Sequence, residues 1–306
     1  MSARLVFAAL IVMALAVGFV AGTATPRDQE ATRVTSTGGQ AADEALAQVA
    51  VLEDWLMNVS AAAIAGRLDG VSVGVLVADG AEAEDVEAVT QALKSAGAQV
   101  GLEASLSAEW WTPELASFRG EIADQVAQSV VGAEGLSSTE LLQHAIIQAL
   151  VPGAVPADVA GQGDVQAEPG EGVVAADGAE VLLEVLTRSG LLTVDRAAEA
   201  PVSALVVVTA DGPEGAGTIA AVAAGAWENY VPATLIVTFG SATAPSVATD
   251  AISQGEALAA DARPSVVVAT EPSLVDAQVV LAVVEQLDGG AGSYGIAENL
   301  DLIAQP

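Results

Sequence analysis

Apolar residues along this chain follow two spacings, and the points where one gives way to the other divide it into elements. In "ADEALAQVAVLEDWLMNVSAAAIAGRL", Leu46, Val49, Leu52, Leu56, Val59, Ala63 and Ile64 recur at helical spacing, which predicts an amphipathic helix within Ala41 to Leu68. From Val71 the texture changes. "VSVGVLVADG" is a continuous apolar run that closes in a turn. "EAEDVEAVTQALKSAGA" places Val86, Val89 and Leu93 on one helix face and ends near Gly97, and "QVGLEASL" follows as a second strand. The strands of this strand-helix-strand unit read as buried on both faces of a parallel sheet.

Helices are predicted over Pro113 to Val131 and Ser138 to Val151. "PGAVPADVAGQGDVQAEPGEG", Pro152 to Gly172, is too rich in Pro, Gly and acid to fold alone and reads as a mobile loop near 152–175. "GAEVLLEVLTRSG" is a helix with a glycine stop at Gly190. "ALVVVTA", "ATLIVTFG" and "PSVVVATE" are three short buried strands, "GAGTIAAVAAGAWENY" the helix joining the first two, and "SLVDAQVVLAVVEQL" a last helix. Strands alternating with helices predict an α/β fold, an open and mostly parallel sheet flanked by helices.

The amino terminus adds a different element. "MSAR" precedes Leu5 to Gly22, a run with no charge and no proline. At about 1.5 Å per residue, such a helix roughly covers the hydrocarbon core of a bilayer. Arg4 favours that end remaining in the cytoplasm, which places the rest outside. The small residues of "AGTAT", Ala21 to Thr25, also suit a cleaved signal peptide, but the apolar run is longer than a usual signal core, which favours an anchor. The expected organisation is an anchor over 1–25, a linker and amphipathic stalk helix over 26–69, and an extracytoplasmic α/β domain over 70–306. The stalk helix either pairs with a second copy or packs on its own domain, and a homodimer through it is the expectation carried forward.

Charge and composition narrow the function. Forty acidic residues face nine basic ones in 306 residues, a formal charge of -31. That surface repels phosphate backbones, so no nucleic-acid partner is expected. With no cysteine, disulfides, zinc-thiolate sites and thiol catalysis are all removed.

Three stretches invite a search for chemistry. "DGPEGAGT", Asp211 to Thr218, follows a strand and opens a helix, the right context for an anion loop. It lacks the Gly-Lys-Ser/Thr ending, and Glu214 would oppose a phosphate, so a tight turn is the better reading. In "GGAGSYG", Gly292 directly precedes Ser293, whereas a nucleophile elbow wants glycines two residues to either side. The one histidine, His144, lies among apolar neighbours in "LLQHAIIQAL", where a structural role outweighs that of a general base. Trp110 and Trp111 precede a helix in "SAEWWTPEL" and read as a hydrophobic lid in preference to a binding platform. The acids of "EAED", Glu82 to Asp85, are accounted for by the dipole of the helix they open. Catalytic, cofactor-binding and metal residues are therefore assigned to none, and no enzymatic activity is expected. Gly289 and Gly290 are expected to end the last helix, and Tyr294 to pin the tail "IAENLDLI" against the sheet.

The uncharged amino-terminal helix, the stalk, "GVSVGVLVADGAEAEDVEAVTQALKSAGAQVGLEASLS", "LTRSGLLTVDRAAEAPVSALVVVTADG" and "LDGGAGSYG" together resemble the actinobacterial copper transport protein B family, described for mycobacteria as an envelope channel protein. The resemblance implies a role in copper homeostasis at the cell envelope. Its corynebacterial relatives imply a cytosolic partner and control of peptidoglycan remodelling at the septum. The residues themselves speak against conduction. Copper(I) prefers thiolate, thioether and imidazole ligands. This chain has one His, no Cys, and only Met1, Met13 and Met57. A membrane barrel needs segments of alternating polarity, and the strands here are short continuous apolar runs. A docking or regulatory domain is the better expectation.

Overall fold

A computed structural model describes residues 57–78, 80–151, 176–210, 233–240, 264–270, 272–296 and 300–304, with isolated positions at 47, 48, 51, 55 and 222. The chain divides into two compact units, Met1–Leu52 and Glu53–Pro306, and the elements below belong to the second. The apolar run Leu5 to Gly22, the linker, the acidic Pro/Gly segment and "DGPEGAGT" lie outside the described residues. Among the described residues, no helix is long and apolar enough to cross a membrane.

Seven strands form one sheet: β1 (Ser72–Ala78), β2 (Gln99–Leu106), β3 (Leu192–Arg196), β4 (Ala204–Ala210), β5 (Ala233–Phe239), β6 (Ser265–Ala269) and β7 (Ser293–Gly295). Their order is β3-β2-β1-β4-β5-β6-β7. All neighbours pair in parallel except β2 and β3, which are antiparallel. The fold is thus α/β with an open, mostly parallel sheet, as the alternation of elements predicts. The pattern reading lacks both edge strands. The three residues of β7 are too few for a period, and "LTVDR" in β3 alternates over only five.

Beyond the helical segment 57–64, five α-helices are described: α1 (Ala83–Ser95), α2 (Ala116–Val126), α3 (Ser138–Leu150), α4 (Ala176–Arg188) and α5 (Pro272–Leu287). A short 3₁₀ turn, Pro113–Leu115, precedes α2 where a single helix from Pro113 is expected. Pro113 sits in the first turn, where its missing N–H leaves no helical bond unmade. α3 begins with a full capping box: the Ser137 hydroxyl accepts from the Glu140 N–H, and the Ser137 N–H donates to the Glu140 carboxylate. α4 stops at Gly190, which takes a left-handed φ of 80°.

Side chains alternate across the strands and build two cores. On one face Leu76, Leu102, Leu205 and Ile236 pack with residues of α2, α3 and α4. On the other, Val75, Val206, Val237 and Val267 pack with α1 and α5. In β4, β5 and β6 both faces are sealed, so their residues are buried almost without interruption. Gly74 of β1 meets the first core closely: a Cβ there would come within 2.9 Å of Leu102 Cδ2 and 3.3 Å of Leu205 Cδ1.

The crossovers do not share one hand. From β1 through α1 to β2 the chain steps one way along the sheet, and from β6 through α5 to β7 it steps the other way, yet both helices lie on the same face. One of the two units therefore departs from the usual right-handed rule.

Candidate functional site

The closing glycine-rich stretch is a fastening. Gly289, at a φ of 84°, donates its N–H to Gln286 O, and Gly290 donates to Glu285 O, which closes α5 as expected of the two glycines. The Gln286 side chain then ties three elements together. Its Oε1 accepts from the Thr234 N–H of β5 at 3.3 Å, and its Nε2 donates to Ser265 Oγ of β6 at 3.0 Å. The Gly292 N–H donates to the same Ser265 hydroxyl at 3.2 Å. Tyr294 is buried, with its hydroxyl donating to the Glu285 carboxylate of α5. The backbone of its two neighbours holds the tail: Gly295 N–H donates to Asp301 O and Asp301 N–H to Ser293 O. The tyrosine ring grips the helix while the strand around it grips the tail.

The paired tryptophans have structural partners. Trp110 is buried, and its Nε1 donates to Leu191 O at 2.6 Å, while Trp111 packs against the same core. Arg119 of α2 fixes that corner by donating to Glu109 O and Thr112 O at 2.7 and 2.8 Å. This is the lid arrangement expected of the paired tryptophans. His144 is half-buried on α3. Glu140, one turn before it, lies below the ordinary carboxylate range because of its bonds to Ser137, with His144 adding attraction. At the start of α1, Asp85 is pushed up by burial first and then by Glu82 and Glu84. Among the described residues, no group of three or more His, Cys, Asp and Glu side chains is placed to hold a metal ion.

One surface stands apart. The strand "QVGLEASL" was expected to be buried on both faces, but β2 alternates: Val100, Leu102, Ala104 and Leu106 are buried, while Gln99 is exposed and Gly101, Glu103 and Ser105 are partly so. Its other neighbour, β3, exposes Thr193, Asp195 and Arg196. A groove of 290 Å³ runs beside α1 over this corner. Val75 and Val77 form its floor, Glu87 and Lys94 line the helix side, and Glu103 and Asp195 line the strand side. A register shift in β2–β3 opposes Glu103 to Arg196 and Ala104 to Val194, so Asp195 is the extra residue of a bulge. Arg196 donates to Val100 O at 2.8 Å and lies 3.8 Å from Glu103. Among the described residues, Glu87, Lys94 and Asp195 form no ion pair. Sequence reasoning passed over these groove residues. The available signal was the strict apolar-polar alternation from Gln99 to Leu106, which marks a strand with one open face.

Comparison with known proteins adds one finding. The sequence model of a family described as copper transport outer membrane protein, MctB, matches residues 3–304. Among curated proteins, none matches the chain.

Proposed function

Because the chain belongs to the MctB family of copper transport proteins, we propose that it serves copper homeostasis at the cell envelope as a membrane-anchored docking or regulatory domain, not as a conducting pore. The observation that carries this reading is the contrast between a sheet sealed on both faces over β4, β5 and β6 and a corner left open and polar over β2 and β3. The donor inventory supports the same reading, since a chain with no Cys, one His and three Met offers few soft ligands for copper(I).

In this reading Leu5 to Gly22 spans the membrane once, with the amino terminus in the cytoplasm and the α/β domain outside. The domain carries no catalytic activity. Two copies associate through the membrane-proximal helix. Exposed Met57 and Trp55 support that pairing at the start of the helical segment 57–64, while Ile64 at its end packs into the α1–α5 core of the same chain. The family resemblance supplies a second reading, a scaffold that controls cell-wall remodelling at the septum through a cytosolic partner. The open corner favours it equally, because both readings require a protein partner.

The test is a calorimetric titration of the full chain in detergent with copper(I) and copper(II), with light scattering on the same sample. The expected result is a dimer that binds neither ion stoichiometrically at submicromolar affinity. Tight stoichiometric binding of either ion would overturn the docking reading in favour of direct handling of copper, and a strict monomer would remove the stalk pairing.

A further inference from the structure

The groove beside α1 has a floor, two walls and a defined size, and together they select among occupants. On the face that carries α1 and α5, α1 lies against β2 and β4 and Val100 of β2 joins the core, while Glu103 and Ser105 further along β2 and Thr193 and Asp195 of β3 stay partly or fully exposed. The groove extends along α1 from Ala83 to Lys94, or about 16 Å at 1.5 Å per residue. An extended segment that inserts one long side chain fits.

The surfaces specify that side chain. Val75 and Val77 offer an apolar floor for a methylene stem, and Glu87, Glu103 and Asp195 offer carboxylates at its rim. Glu87 and Asp195 have no cationic partner among the described residues, while Glu103 shares Arg196 at 3.8 Å. With a formal charge of -31, a second copy of this chain is a poor occupant for an acid-rimmed groove, and a cationic partner is a good one.

We propose that this groove docks an extended, basic segment of a partner protein, seating one Arg or Lys stem on Val75 and Val77 with its charged head between Glu87 and Asp195. The proposal rests on the docking reading above and gives that reading its partner chemistry. Lys94 closes one end of the groove and repels a second basic residue there, so the favoured segment carries a single central cation with small or acidic residues on that side.

The experiment is NMR on isotope-labelled full chain in detergent, titrated with the capped pentapeptide Gly-Val-Arg-Val-Gly and its Lys and Glu counterparts. The Arg and Lys peptides are expected to shift the amides of Val77, Val86, Thr90 and Asp195, and the Glu peptide to shift none of them. Raising ionic strength from about 0.02 to 0.2 M is expected to weaken binding several-fold. The pair Glu87→Gln with Asp195→Asn is expected to weaken it about fivefold, the scale of two surface ion pairs, and the remote pair Asp288→Asn with Asp301→Asn to leave it unchanged. Shifts spread over the whole acidic surface, equal loss in both double variants, or no shift at all would overturn the proposal. So would groove shifts that grow with protein concentration alone, since a second copy would then be the occupant. The copper titration reads the docking hypothesis separately: a domain that binds neither copper nor these peptides loses this proposal and keeps that one.

Discussion

The two ends of the sheet differ in their residues and in their surroundings. In β4, β5 and β6 nearly every position is apolar and buried, with helices closing the α1–α5 face and a continuous core on the other. In β2 and β3 the face toward α2, α3 and α4 is closed, and the other, buried only at Val100, shows Glu103, Ser105, Thr193 and Asp195. The sealed end holds the fold together and the open end has surface to spare. Burying Val or Leu on both faces contributes about 1.5–3 kcal/mol per side chain. Residues on the open face of β2 forgo most of that and are free to meet something else.

The strongest test of the contrast is at the centre of the sealed end. Ile236→Ala in β5 removes a fully buried side chain from a core with no room to collapse and is expected to cost about 2–5 kcal/mol in urea unfolding. Ser105→Ala on the open face of β2 is expected to cost under about 0.5 kcal/mol. Equal losses would erase the distinction between the two ends. A finer test uses two glycines on adjacent strands. At Gly74 an added methyl meets Leu102 and Leu205 in the closed core, so Gly74→Ala is expected to destabilise by about 1–3 kcal/mol. At Gly101 the nearest atom to a new Cβ is Ser72 Oγ at 3.4 Å, an ordinary contact, so Gly101→Ala is expected to be neutral or slightly stabilising. A loss at Gly101 as large as that at Gly74 would show that the open face is packed after all.

What the pattern of apolar residues discloses follows the same division. Strands sealed on both faces announce themselves, and "ALVVVTA", "ATLIVTFG" and "PSVVVATE" are found where their uninterrupted runs predict. The glycines that end helices are equally legible, because Gly190 and Gly289 need the left-handed conformation that other residues resist. The clasp is legible only in part. Gly289 and Gly290 mark the stop, but nothing local tells that Gln286 bonds Thr234, 52 residues earlier in the chain. The groove is the least visible feature, because it joins Glu87 on a helix, Glu103 on the next strand and Asp195 after a long excursion. Only the alternation in β2 hints at it, and a run that starts beside the buried "VSVGVLVA" is easily taken as more of the same.

The smallest predicted effect lies on α5, over the sealed end. Asp276 is half-buried there, and its carboxyl is pushed above the ordinary aspartate value by loss of hydration. The sign follows from linkage. Between the unfolded value and the raised folded one, the native state holds the proton more tightly than the unfolded chain does, so stability falls as pH rises through that window. The penalty is complete above the folded value and absent below the unfolded one. Asp276→Asn removes the charge and is therefore expected to make the protein slightly more stable at neutral pH. It is also expected to flatten the acid limb of the stability curve just above the ordinary aspartate range. Urea midpoints at a series of pH values would read both changes. A variant that lost stability at neutral pH would mean that the charged carboxylate is held by a favourable partner, and the α5 side of the sheet would then be less sealed than its apolar residues imply.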